Sequence, residues 1–160
     1  MSKEIKTNAM RILERAKVPY EAFPYECDEF VDGVHCADLI GAKHEQSFKT
    51  LVMRGKGGGF YVYVVPCEKE VDRKAAAQAV GEKAVDMIHV KELTSITGYV
   101  RGGCSPVGMK KAYPTVVDAS CTNFDKIYVS GGRVGLSLLV PVEGLLAVTK
   151  GKLADICMNE

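Results

Sequence analysis

Apolar residues recur along this chain at two different spacings, and the switches between them lay out its elements. Ile5, Ala9, Ile12, Leu13 and Ala16 fall at helical intervals, and Val18-Pro19 ends the pattern, which predicts an amphipathic first helix. Residues 20–25 read as a short strand, with Pro24 marking an edge position. The acidic stretch 26–32 reads as a loop, and 34–40 as a helix stopped by Gly41. Residues 48–54 and 60–66 are rich in β-branched and aromatic side chains. The run Gly55-Lys56-Gly57-Gly58-Gly59 between them predicts a hairpin. Asp72 can cap a helix running to Val80 and closed by Gly81. A strand at 84–89 and a helix at 91–97 ending on Gly98 follow. Strands are then predicted at 115–120, 126–130 and 136–140, a helix from Pro141 through Ala147, and a last strand at 153–157.

Strands dominate, helices are interspersed, and no linker or repeat divides the chain. The pattern predicts one α+β domain over residues 1–160, with a mixed, curled, barrel-like β-sheet surrounded by helices. Composition agrees with an ordinary globular protein: 160 residues, 47% hydrophobic and 26% charged. No apolar run reaches membrane-spanning length and residues 1–6 hold no signal-peptide core, so the chain reads as cytoplasmic. A net charge of +1 supplies no global basic field, which limits any nucleic-acid contact to a local patch. Arg54 with Lys56, Arg73 with Lys74, and Lys110 with Lys111 are the candidate patches. The six cysteines (27, 36, 67, 104, 121 and 157) are scattered, with no Cys-x-x-Cys pair and no His at ligand spacing. They read as small buried hydrophobes, and neither a metal nor a cofactor is expected.

The run Tyr99-Val100-Arg101-Gly102-Gly103-Cys104-Ser105-Pro106-Val107-Gly108 presents backbone rather than side chains. Two adjacent glycines permit a sharp turn and close approach, and Pro106 drives Ser105 toward an extended form. Such a loop can aim several N–H groups at an anion or a developing oxyanion; a plain turn between elements is the alternative. Lys49 shares a strand face with Leu51 and Met53, opposite Phe48, Thr50 and Val52. If that face is inward, its ammonium meets an anion, a carbonyl or a phosphate; otherwise it reaches out to water. Ser130 ends a strand and runs into Gly131-Gly132, a place for a small ligand or simply a turn-starting serine. Neither a nucleophile elbow nor a phosphate-binding P-loop is present, and Asp118 is the one acidic residue expected to point inward.

Three segments together resemble the YbaK/EbsC family: Ser47-Phe48-Lys49-Thr50-Leu51-Val52, the loop 97–108, and Ile127-Tyr128-Val129-Ser130-Gly131-Gly132-Arg133-Val134-Gly135-Leu136. These are aminoacyl-tRNA deacylases related to the editing domain inserted in bacterial prolyl-tRNA synthetases, and the likeness runs over essentially the whole chain. The branch it looks most like clears cysteine from tRNA(Pro). Cysteine nearly matches proline in size, so a synthetase pocket discriminates poorly and a second hydrolytic site is needed. By position the resemblance makes Lys49 the pocket lysine near the acceptor-end adenosine and the ester. It places Gly102 and Gly103 in a Gly-x-x-x-Pro loop whose amides hold the scissile carbonyl. Ser130 is the pocket serine, and Tyr25 a tyrosine near the mouth. Thr50, Cys104, Ser105 and Gly131 complete the substrate-contacting set, with Cys104 read as packing and given no catalytic role.

In that branch the substrate's own thiol attacks its ester, which accounts for the absent triad. The implied partners are the tRNA(Pro) acceptor end and prolyl-tRNA synthetase, with no membrane. Ser137 stands where some members carry Asp, and the segment 28–34 lacks the aromatic that the family places near Asp32, with Phe30 the candidate substitute. The alternatives are an alanine-clearing relative that uses an activated water, a non-catalytic nucleotide- or tRNA-binding module, and a subunit that docks to a synthetase.

Overall fold

Thr7 turns its hydroxyl back to accept the N–H of Met10 at 3.2 Å, and this caps α1 (Asn8–Arg15). The structure, a computed structural model, describes residues 6–26 and 33–158. Ile5 and most of the expected acidic loop, with Asp28, Phe30 and Asp32, lie outside the described residues. After α1 come β1 (Glu21–Pro24), α2 (Gly33–Ile40), β2 (Phe48–Gly55), β3 (Phe60–Pro66), α3 (Arg73–Val80), β4 (Val85–Met87) and α4 (Val90–Thr97). The remainder is β5 (Thr115–Asp118), β6 (Lys126–Ser130), β7 (Leu136–Pro141), α5 (Val142–Thr149) and β8 (Lys152–Ala154).

Local signals set most of these bounds. Asp72 accepts the N–H groups of Lys74 and Ala75 at 3.0 and 3.2 Å, and Gly81 ends α3 in the left-handed region at φ +74°. Where the structure departs from expectation, a side chain or a neighbour decides. The strand expected at 84–89 stops at Met87, because His89 turns to start α4 and its N–H donates to Glu92 at 3.0 Å. The strand expected at 115–120 stops at Asp118, whose carboxylate takes the N–H of Ser120 and opens a 3₁₀ turn. The last strand ends at Ala154 rather than 157, and Cys157 keeps only an isolated bridge to Val71.

The strands form two sheets, and these do not close into the expected barrel. One has the order β1-β7-β6 and is antiparallel throughout, with β1 and its Pro24 on the edge. The other has the order β4-β2-β3-β5-β8; β4, β2 and β3 run antiparallel, whereas β5 and β8 join in parallel. A single parallel bridge, Ser47 to Tyr128, links them. Both faces of the second sheet are covered. Phe48, Val52, Val62 and Val64 pack with β6, β7, α1 and α5, while Met53, Tyr63 and Val65 pack with Ala76 and Ala77 of α3. Among the described residues no helix is long and apolar enough to cross a membrane.

Asp118 is buried as expected, and one of its oxygens accepts the N–H of Ile156 at 3.1 Å. The other accepts both the N–H and the hydroxyl of Ser120. Asp118→Ala strands buried donors on two segments at once, so it should cost about 2–3 kcal/mol of stability, read as a lower denaturant midpoint in chemical unfolding.

Candidate active site

A bridge from Ser47, just before β2, to Tyr128 ties β2 to β6, and beyond it no ladder joins them. A cavity of about 390 Å³ occupies the gap, within the range of small-molecule sites. Six consecutive residues, 47–52, line it. Alternation would send half of them to each face of the sheet, so the cavity must lie along the open edge of β2 rather than over one face. The ladder agrees. Cys67 donates its N–H to Ser47 and Gly55 donates to Gly59, so the odd-numbered residues pair with β3. The backbone groups of Phe48 and Thr50 are turned the other way, toward the cavity.

Lys49 therefore reaches the cavity although its strand neighbours on the same face, Leu51 and Met53, pack toward α3. Its ammonium has no carboxylate within ion-pairing distance among the described residues. Nearby, burial pushes the Cys67 thiol up to about 11, an effect that the Lys49 charge slightly offsets. Thr50 Oγ1 and Ser130 Oγ are both buried and have no hydrogen-bond partner among the described residues. Orphaned hydroxyls of this kind cost about 1–3 kcal/mol each, and two on one cavity wall mark a place built for a polar occupant. Ser137 lies opposite Ser130 across the β6–β7 ladder and also lines the wall. Tyr25, held by its N–H to Gly135 at 2.9 Å, approaches Cys36 Sγ at 3.1 Å through its hydroxyl.

The glycine loop supplies the remaining side. Gly102 and Cys104 line the cavity, and their amide N–H groups have no partner among the described residues. Gly102 sits at φ +85°, where only glycine is unstrained. Gly103 does something different: its N–H donates to Val100 at 2.9 Å, and a Cβ there would meet the Arg133 backbone at 2.8 Å. It lets two loops touch. The N-terminus of α1 ties these loops together, since Thr7 donates to the Gly131 carbonyl at 2.6 Å and Asn8 to that of Gly108 at 2.8 Å.

A sequence profile of the aminoacyl-tRNA editing domain matches residues 32–148. The Enterococcus faecalis (strain ATCC 700802 / V583) protein EbsC, assigned as a Cys-tRNA(Pro)/Cys-tRNA(Cys) deacylase, is 40% identical over 156 residues, 97% of this chain and 95% of that one. The chain belongs to the aminoacyl-tRNA editing family. Its fold matches the crystal structure of a protein assigned as a trans-editing enzyme for prolyl-tRNA synthetase, with TM-score 0.82 and 23% identity over 98% of this chain and all of that one. It also matches the hypothetical protein APE2540, with TM-score 0.85 and 23% identity over 94% and 99% of the two chains.

Of the residues singled out from sequence, this editing domain brings Tyr25, Lys49, Thr50, Gly102, Cys104 and Ser130 to one cavity. Gly103, Ser105 and Gly131 are not on its wall. Ser105 is fully buried, with its hydroxyl accepting the Val107 N–H at 3.2 Å, and Gly131 packs against Leu136 and Leu138. Arg54 and Arg73, proposed as basic patches, are paired with Glu92 and Asp86. Sequence reasoning missed Cys36, Ser47 and Cys67, and an apolar wall of Met87, Ile88, Val90 and Leu93. The one signal for that wall was three large apolar residues within four positions at a predicted strand–helix junction.

Burial pushes the Cys104 thiol up to about 11, with the neighbouring Thr97 hydroxyl opposing it. A raised thiol pKa keeps sulfur protonated, so Cys104 supplies no thiolate near neutral pH. Iodoacetamide treatment of the native protein at pH 8, followed by peptide mass mapping, should leave Cys104 unmodified while the urea-unfolded chain alkylates there. For Gly103→Ala the clash is with backbone, which cannot swing aside, and stability should fall by about 1–3 kcal/mol in chemical denaturation.

Proposed function

We propose that this editing enzyme deacylates tRNA(Pro) mischarged with cysteine, acting in trans. The observation that carries the reading is one cavity lined by a lysine without an ion pair, two hydroxyls without hydrogen-bond partners and two residues with unpartnered amides, among the described residues. That set can hold and polarise an ester, yet it includes no activated protein nucleophile. The relative EbsC, similar over nearly the full length, supports cysteine as the amino acid removed.

The substrate then supplies the nucleophile. The cysteine sulfur attacks its own ester carbonyl, and the carbonyl oxygen takes up negative charge facing the Gly102 and Cys104 amides. The C–O bond to the terminal ribose breaks, and that oxygen leaves with the proton given up by the thiol. The cyclic thiolactone opens in water to free cysteine. The chain's contribution is orientation and charge stabilisation: Lys49 near the ester, Ser130 and Thr50 as hydrogen-bond partners, and Tyr25 at the mouth. Gly103 serves by shape, since its N–H is already committed to Val100. Prolyl-tRNA synthetase holding the same tRNA would raise the local substrate concentration, which a chain of net charge +1 does little to achieve alone.

Deacylation of Cys-tRNA(Pro) and Ala-tRNA(Pro), measured in parallel, tests this. Cysteine should be released and alanine retained, and Lys49→Ala should lower kcat/KM by roughly 10²-fold with its melting temperature preserved. Preferential loss of alanine would assign the cavity to water-dependent hydrolysis. Turnover of neither would leave a binding module.

A further inference from the structure

The cavity has one wall that the ester chemistry does not use. It runs from the end of β4 into the first turns of α4, and it consists of Met87, Ile88, Val90 and Leu93. Two of these are the anomaly: Met87 is 50% and Val90 58% exposed, although both border a formed cavity. Large apolar side chains left open beside a site mark a surface that something covers.

Hydrogen bonds also brace the wall. The His89 N–H and the Arg54 guanidinium bind the two oxygens of Glu92, at 3.0 and 2.8 Å, across the turn that carries it. Arg54 in turn lies over the Phe60 ring at 5.2 Å. The Arg54 hydrogen bond holds the Glu92 carboxyl below its ordinary value, so the brace stays charged through neutral pH. Through Gly98, α4 leads straight into the loop that bears Gly102. Wall and carbonyl-binding loop are one continuous segment.

We infer that the Met87–Val90 shelf seats the flat face of the terminal nucleobase of the tRNA acceptor end. This deepens the function proposed above and rests on it. In an aminoacyl-tRNA the scissile ester is made to the ribose of the last nucleoside, so a carbonyl held at Gly102 leaves the base beside it. A base is polar at its edges and apolar on its faces, and the four apolar side chains that line this wall suit a face. Such seating grips the nucleoside without reading its edge, and leaves Lys49, Thr50 and Ser130 for the ester and the amino acid.

Two readouts test the shelf. 5′-AMP titrated into the isotopically labelled wild-type protein should shift the backbone amide signals of residues 87–93. Met87→Ser with Val90→Ser should weaken that binding about tenfold, as lost apolar contact predicts. With an acceptor-stem minihelix charged with cysteine, the same double variant should raise KM about tenfold and keep kcat. Against a minihelix ending in an abasic ribose, variant and wild type should converge. The single Met87→Ser variant repeats the test with a smaller perturbation should the double variant melt early. Unchanged KM, or AMP shifts confined to other segments, overturns the inference. A defect seen only when the synthetase is present also overturns it, and assigns the shelf to protein docking. AMP seated on residues 87–93 in a protein that deacylates nothing upholds the shelf and defeats the proposed function instead.

Discussion

One backbone bridge governs the geometry of this molecule. Ser47 and Tyr128 bring the two sheets together at a point, and the strands that carry them then go separate ways. Had β2 and β6 stayed paired, the sheets would have merged and the edge of β2 would have been buried in hydrogen bonds. Because they part, residues 48–50 keep an open edge facing a space rather than a strand, until Val52 accepts the N–H of Ile88. An unpaired strand edge is ordinarily a hazard, since it invites another chain to add to it. Here it is turned inward, roofed by the glycine loop and by α4, and so becomes the floor of a site.

This arrangement explains which parts of the protein could be read from sequence. The β2–β3 hairpin, the full extent of α3 and the bounds of β6 follow from residues that act locally: a glycine run, an aspartate cap, a left-handed glycine. The candidate residues Lys49, Gly102 and Ser130 were singled out through family likeness and loop chemistry, and they line one cavity. What stayed hidden depends on distant partners. Alternation assigns Lys49 and Thr50 to opposite faces, and only the splaying of β2 from β6 lets both reach the same space. The open sheet, against an expected barrel, has the same origin. Gly103 looks like Gly102 in the sequence, but its neighbour is the Arg133 backbone, more than two dozen residues later.

The energetics of the cavity lean the same way as its shape. Among the described residues, Thr50 and Ser130 hold hydroxyls without partners, and Lys49 has no carboxylate within ion-pairing distance. Each is a local loss of stability that the two surrounding cores offset. Sites that stabilise a fleeting charge share this trait: their polar groups are fixed before the substrate arrives, so little reorganisation is needed during reaction. Cys104, buried and protonated within the same loop, belongs to the packing that does the fixing.

The hydrogen bond from Thr7 to Gly131 spans 124 positions of sequence, and that from Asn8 to Gly108 spans 100. Contacts between such distant segments are slow to form, because the chain entropy lost in closing the loop comes before the contact can repay it. Helix α1 thus waits for segments 100 or more positions further along before it can clasp the glycine loops. A partly synthesised or partly folded chain can own the hairpin and α3, yet lack the pocket. The ability to act on tRNA arrives last, as a property of the finished molecule.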